Sequence, residues 1–286
     1  MKNKFQIIFI FISFITFSFK SDAQPGFLDP TFGNGGIIIT DTIGGPAGLA
    51  ILQDGKIIVG GNGEHFFLNR FNDDGSNDES FGMSGRINVN LKGMYASCKS
   101  IAVQQDGKIV LVGNIVEDNP YRDIAIVRCK ADGTLDSSFG INGLTTIDFQ
   151  HYDYAYDVAL QTDGKIVVIG DYTSNTDDFF DSYILRLNTD GSLDPGFGTG
   201  GIHKIHYTES TRNRSLSIQT DGKLLMGGTY NKYSAQPDYI VERFNANGSI
   251  DNSFGEAVRQ NLTLGKVNRE NGTQHFMIWL YNLMEK

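Results

Sequence analysis

The chain states one pattern of about sixty residues four times over. Self-similarity at a fixed period means supersecondary units that must stack to bury their faces. The first phrase of each unit is a strand, an Asp-Gly-Lys turn and a second strand ending in Gly, as in Gln53-Asp54-Gly55-Lys56-Ile57-Ile58-Val59-Gly60. Its cognates are Asp106-Gly107-Lys108, Asp163-Gly164-Lys165 and Asp221-Gly222-Lys223, and the four aspartates lie 52, 57 and 58 residues apart. The second phrase closes the unit, running from Arg70 through Asp74-Gly75-Ser76 to Phe81-Gly82, with cognates at Phe139-Gly140, Phe197-Gly198 and Phe254-Gly255. An extra copy, Leu28-Asp29-Pro30-Thr31-Phe32-Gly33, precedes them all.

Four β segments fit each unit; in the third they are 143–149, 154–161, 165–171 and 182–188. Asp-Gly between two β runs is a hairpin signal, because both residues tolerate the positive φ of a primed turn. The last segment is apolar on both parities: in the second unit Ile124 and Ile126 alternate with Ala125, Val127 and Cys129. A sheet apolar on both faces is covered on both sides. The expected fold is all-β, a β-propeller of about four four-stranded antiparallel blades. Four units admit either a four-bladed ring or an incomplete, open arc of a larger one.

These phrases resemble the delta-60 repeat family, propeller-type repeats of secreted bacterial proteins, in the signatures Asp-Gly-Lys-Ile-Val-Val-x-Gly and Asp-Gly-Ser-Leu-Asp-x-x-Phe-Gly. The likeness covers about residues 26–255. It implies a propeller fold and export, and no particular reaction, since members are described by their repeat.

The first 23 residues differ in kind. Lys2 and Lys4 precede an apolar run over 5–17 and a small-residue exit at Ser21-Asp22-Ala23. That pattern reads as a secretory signal peptide, with Gln24 the first mature residue, so the chain is expected at the cell surface or secreted. The apolar run is shorter than the roughly 20 residues that a spanning helix needs, so no membrane span is expected. The repeat domain occupies 24–255. Residues 256–286 leave the pattern, hold the single tryptophan, Trp279, and read equally as a capping segment or as a reading-frame break.

A formal charge of −9 without evident basic clusters disfavours nucleic acid and other anionic partners. Proteins, neutral glycans and divalent cations remain. Cys98 and Cys129 fall on strands separated by a third, at about 10 Å given the strand spacing, too far for a disulfide. Two buried free thiols are expected.

Candidate sites divide by whether they repeat. The Asp-Gly turns suggest a calcium loop, because Asn188, Asp190 and Asp194 alternate around Gly191. Register opposes that reading, since Arg70, Arg128, Arg186 and Arg243 stand where the first carboxylate belongs, and side chains closing turns on backbone N–H groups explain the pattern. The same arginines and the Asp three residues before each Phe are expected to latch the turns, with the phenylalanines as wedges between blades.

The opposite rim varies. Its longer connections carry Glu117, Asp118, Tyr121, Asp177, Asp178, Phe179, Phe180, Tyr230, Tyr233 and Asp238 beside His151-Tyr152-Asp153-Tyr154-Ala155-Tyr156-Asp157. Tyr152, Tyr154, Tyr156, Phe179, Phe180 and Tyr233 are the expected ligand contacts, for a protein or glycan partner at the cell surface. His151, Asp153 and Asp157 share a face of an extended strand and are the acid–base or metal candidates. His203 and His206 face opposite ways. The leading reading is a non-catalytic binding or display module, the alternative an extracellular hydrolase or lyase, and the third a calcium-stabilised adhesion module.

Overall fold

The computed structural model describes residues 26–40, 44–63, 65–91, 95–116, 121–173, 180–208, 210–230, 234 and 237–254. The expected signal peptide, the tail after 254, and Glu117, Asp118, Asp177, Asp178, Phe179 and Tyr233 lie outside the described residues.

Each unit becomes one antiparallel sheet with its strands paired in chain order. Blade 1 is β1 (Gly45–Ile51), β2 (Ile57–Asn62), β3 (Phe66–Phe71) and β4 (Arg86–Val89). Blade 2 is β5 (Tyr95–Val103), β6 (Ile109–Val116), β7 (Asp123–Cys129) and β8 (Leu144–Ile147). Blade 3 is β9 (Asp153–Leu160), β10 (Ile166–Thr173), β11 (Phe180–Leu187) and β12 (Ile202–Ile205). Blade 4 comprises, among the described residues, β13 (Arg212–Ile218), β14 (Leu224–Tyr230) and β15 (Asp238–Phe244). No helix among these residues is long and apolar enough to cross a membrane.

The boundaries of the units need correcting. Residues 143–149 do not open the third blade; β8 pairs with β7 and closes the second. The cause is the closing phrase, which folds the chain back on itself: Gly143 donates its N–H to the Phe139 carbonyl (2.8 Å) and accepts from the Arg128 N–H (2.9 Å). The Asp-Gly-Lys and Phe-Gly turns therefore share one rim as intrablade hairpins. The links between blades run along the other, variable rim.

Blade stacking follows from the two-faced strands. Ile109 and Leu111 of β6 join the cluster shared with blade 1, whereas Val110 and Val112 between them join the cluster shared with blade 3. Val167 and Ile169 of β10 likewise turn toward blade 4. The first strands β1, β5, β9 and β13 touch one another in sequence and form the inner edge of the arc. The arc opens at blade 1: Leu49 is 68% exposed, while Ile101 and Leu216, at the equivalent place in blades 2 and 4, are 7% and 8% exposed.

The repeated closing phrase is a latch between neighbours. Arg Nε meets Asp Oδ2 at 2.7 Å in Arg70–Asp78, 2.9 Å in Arg128–Asp136, 2.7 Å in Arg186–Asp194 and 2.8 Å in Arg243–Asp251. Each lysine of Asp-Gly-Lys joins the same carboxylate, and the guanidinium groups of Arg70, Arg128 and Arg186 reach a backbone carbonyl of the next blade. The hydrogen bond from Lys165, opposed by burial and helped by the Gly196 amide and the Arg186 charge, holds Asp194 at about 2. Phe81, Phe139 and Phe197 are buried against Gly133, Gly191 and Gly248 of the following blade. The leading copy docks on blade 1 through its backbone, with Gly33 N–H on the Asp74 carbonyl at 2.7 Å, as Gly140 is on Asp190 at 2.8 Å, while Phe32 is only half-buried.

Cys98 and Cys129 are buried free thiols on β5 and β7, flanking β6, and burial pushes both up to about 12.

Candidate functional site

Every inner strand carries one extra residue at the same place. The pairing register slips between Pro46 and Gly48 in β1, Cys98 and Ser100 in β5, Ala155 and Asp157 in β9, and Asn213 and Ser215 in β13. The bulged residues are thus Ala47, Lys99, Tyr156 and Arg214. A bulge bends its strand, re-aims one side chain and leaves the ladder locally unpaired. It also pushes a carbonyl across the adjacent strand: a Cβ at Gly113, Gly170 or Gly228 would come under 3.0 Å from the carbonyl oxygen of Ser97, Tyr154 or Arg212. The terminal Gly of the Asp-Gly-Lys phrase exists for this close approach. In blade 1 its equivalent is Gly61, one residue beyond the Gly60 at which the sequence phrase ended.

Side chains from three consecutive inner strands converge at the bulges. The Arg214 guanidinium lies 3.7 Å from the Tyr156 ring centroid, Arg212 stands 4.8 Å from Phe180, and Arg122, just before β7, lies 5.8 Å from Tyr154. The rings of Tyr154 and Tyr156 are parallel to 1° and stacked, with centroids 6.1 Å apart. Burial first, then repulsion from Arg122 and Arg214, lowers the Lys99 ammonium from its ordinary value. Beneath the platform Asp171 is fully buried; it accepts from Ser182 Oγ at 3.0 Å, and burial raises it to about 7 against that bond and the Arg214 and Arg212 charges.

Three of the six expected ligand contacts, Tyr154, Tyr156 and Phe180, belong to this platform. Tyr152 is on the same rim but turned aside, 40% exposed and edge-on to Tyr121 at 5.3 Å. The His151, Asp153 and Asp157 grouping comes apart. His151 rests edge-on against Tyr121 at 5.5 Å, while the Tyr156 bulge interrupts the alternation between the two aspartates. Asp157 is a staple across three blades: Oδ1 accepts from Ser100 Oγ at 2.8 Å and Oδ2 from the Leu216 N–H at 2.8 Å. His206 pairs with Asp181 at 2.8 Å, and His203 sits against Phe244 of blade 4.

Asp153 has different company. One oxygen atom each from Asp123, Asp148 and Asp153 lie within 4.8 Å of one another. Asp153 is fully buried, its Oδ2 accepts from the Phe149 N–H at 2.5 Å, and its Oδ1 has no hydrogen-bond partner. Burial raises it to about 7, with Asp148 and Asp123 adding to the rise against the Phe149 amide and Lys204. In the Asp-Gly-Ser and Asp-Gly-Thr turns, by contrast, Asp74, Asp132 and Asp190 spend Oδ1 on the N–H and hydroxyl two residues on.

Sequence reading passed over Lys99, Arg122, Arg212 and Arg214. The signal for two of them was present: Ala47, Lys99, Tyr156 and Arg214 each stand seven residues before the Asp of Asp-Gly-Lys, an unlike column in a regular frame.

Antiparallel sheets arrayed about their first strands, each latched to the next, define a β-propeller. The chain carries four copies of a β-propeller repeat: residues 52–81, 104–139, 161–197 and 219–254 match the model of a domain of unknown function (DUF5122) beta-propeller. No curated protein matches the chain. Among solved structures it is similar to an alpha-L-arabinanase from Penicillium chrysogenum complexed with arabinobiose, at 10% identity and a TM-score of 0.51, over 76% of this chain and 66% of that one. A protein of unknown function from Bacteroides caccae gives 11% identity and a TM-score of 0.45, over 77% of this chain and 72% of that one. An endo-1,4-beta-xylanase from Bacteroides thetaiotaomicron gives 11% and 0.42, over 74% and 75%. Identities this low speak for the fold alone.

Proposed function

We propose that the chain is an exported, non-catalytic propeller of the delta-60 repeat kind that binds a partner at the cell surface through the bulge platform on its variable rim. The observation that supports this reading is the contrast within one repeat. The latch residues are the same in every blade, whereas the bulge places Ala, Lys, Tyr and Arg at one geometric position. A scaffold that holds its frame constant and varies one converging column is built to present a particular surface. On an array of cell-surface glycans and proteins, Tyr156→Ala and Arg214→Ala are expected to weaken the best-bound partner by roughly tenfold or more, since such stacked anchors dominate contact energy. Unchanged affinity in both variants would move the contact elsewhere.

A second reading concerns stability. The buried, unpartnered Oδ1 of Asp153 beside two further carboxylates suits a hard divalent cation such as calcium. With its pKa raised from 3.8 to about 7, the folded chain holds a proton that the unfolded chain releases. Stability from this group is greatest below the unfolded value and declines as pH rises through the folded one. Calcium should restore it: at pH 8 the melting temperature is expected to be higher in calcium than in chelator, and Asp153→Asn should abolish the difference. Identical melting curves for the wild-type chain would remove the cation.

A further inference from the structure

The arginines and lysines among the described residues differ in whether an aspartate pairs with them. Arg70, Arg128, Arg186, Arg243 and the four lysines of Asp-Gly-Lys each have an aspartate partner. Lys99, Arg122, Arg212 and Arg214 have none, as Arg86, Lys130 and Lys204 have none elsewhere, but these four gather at one place. Arg212 goes further: its Nε is buried with no hydrogen-bond partner. A buried donor left unpaired costs about 1–3 kcal/mol, and more when charged. The carboxylates nearby offset the charge only in part, and none among the described residues forms an ion pair with it. Asp171 is raised to about 7 and gives its Oδ1 to Ser182, and Asp157 is committed to Ser100, Val158 and Leu216.

The aromatic rings hold these cations in place without discharging them. Arg214 on Tyr156, Arg212 on Phe180 and Arg122 on Tyr154 are each stacked within reach of the ring quadrupole. Stacking fixes a guanidinium plane and leaves its N–H edge free for an oxyanion. The chain as a whole carries a net charge of −9, and these four cations gather against that balance.

We propose that the bulge platform binds an oxyanion, a carboxylate, sulfate or phosphate, carried by an acidic saccharide or free in solution. This proposal departs from the expectation, drawn from net charge, that anionic partners are disfavoured, and it rests on the binding reading of the same platform.

Calorimetry on the full chain tests it with three probes: an oligogalacturonate, a neutral oligosaccharide of equal length, and inorganic phosphate. The oligogalacturonate is expected to bind and the neutral sugar not, with affinity falling as salt rises. Arg212→Met and Arg214→Met should each weaken binding roughly tenfold or more, and Arg214→Lys should fall between. Lys99→Met should raise the melting temperature, because it relieves repulsion, whereas a merely structural lysine would lower it. Phosphate binding without saccharide binding would assign the site to a free oxyanion. Failure of every anion, or anion binding indifferent to the arginine changes, overturns the proposal. A neutral partner lost with Tyr156→Ala would leave the binding reading standing while the oxyanion falls.

Discussion

Gly170→Ala is expected to be the most damaging single methyl that can be added to this chain. Its Cβ would enter the carbonyl of Tyr154, a backbone atom fixed by the Tyr156 bulge and by the Tyr183 hydroxyl, which donates to it at 3.0 Å. Gly170 is paired on both sides, to Ala155 and Tyr183, so neither strand can yield without breaking a ladder. Overpacking a tight core costs about 1–3 kcal/mol when side chains can move, and a backbone obstruction belongs at or above the top of that range. Urea unfolding should therefore show a loss of about 3 kcal/mol or more. Gly45→Ala serves as the control, because a Cβ there meets nothing within 4 Å. Equal, small effects at both positions would mean that the bulge does not press on the glycine.

Phe139→Ala should follow closely. Phe139 is wholly buried, packed on Gly191 of blade 3 with the Arg128 guanidinium 4.6 Å from its ring centroid. Truncating a buried phenylalanine leaves a cavity and costs about 3–5 kcal/mol. The same substitution at Phe32 or Phe254 should cost about 1 kcal/mol, since both are only half-buried. Identical residues in equivalent phrases thus differ in effect by how deeply a neighbour covers each ring. A uniform loss at Phe32, Phe139 and Phe254 would place the wedge energy within each turn instead of between blades.

Much of the frame was legible because it is repeated. The Asp-Gly-Lys hairpins, the Arg–Asp latches, the phenylalanine wedges and the separated cysteines each follow from local spacing, and four copies make a local signal hard to miss. Blade boundaries were harder, because a repeat read from sequence has no natural first residue. The hydrogen bonds of Gly143 and the pairing of Leu144–Ile147 with β7 show that β8 turns back. The site was hardest. Asp153 and Asp157 share parity in a regular strand, and one bulged residue between them is enough to separate their partners. A bulge leaves no mark on its own residue, which is Ala, Lys, Tyr or Arg; it leaves one on the opposite strand, as the glycine that makes room.

Net charge says little about this platform for a related reason. It averages Arg212 and Arg214 with the many surface aspartates that close turns, such as Asp74, Asp132 and Asp190, and only packing distinguishes a cation with a partner from one without.

The most direct measurement is a crystal structure of residues 24–255 read at the four inner strands. The predicted result is an extra residue at Ala47, Lys99, Tyr156 and Arg214, with the carbonyls of Ser97, Tyr154 and Arg212 set over Gly113, Gly170 and Gly228. Unbroken pairing through those strands, with Lys99, Tyr156 and Arg214 pointing apart, would contradict both the origin of the repeated glycine and the existence of a common binding platform.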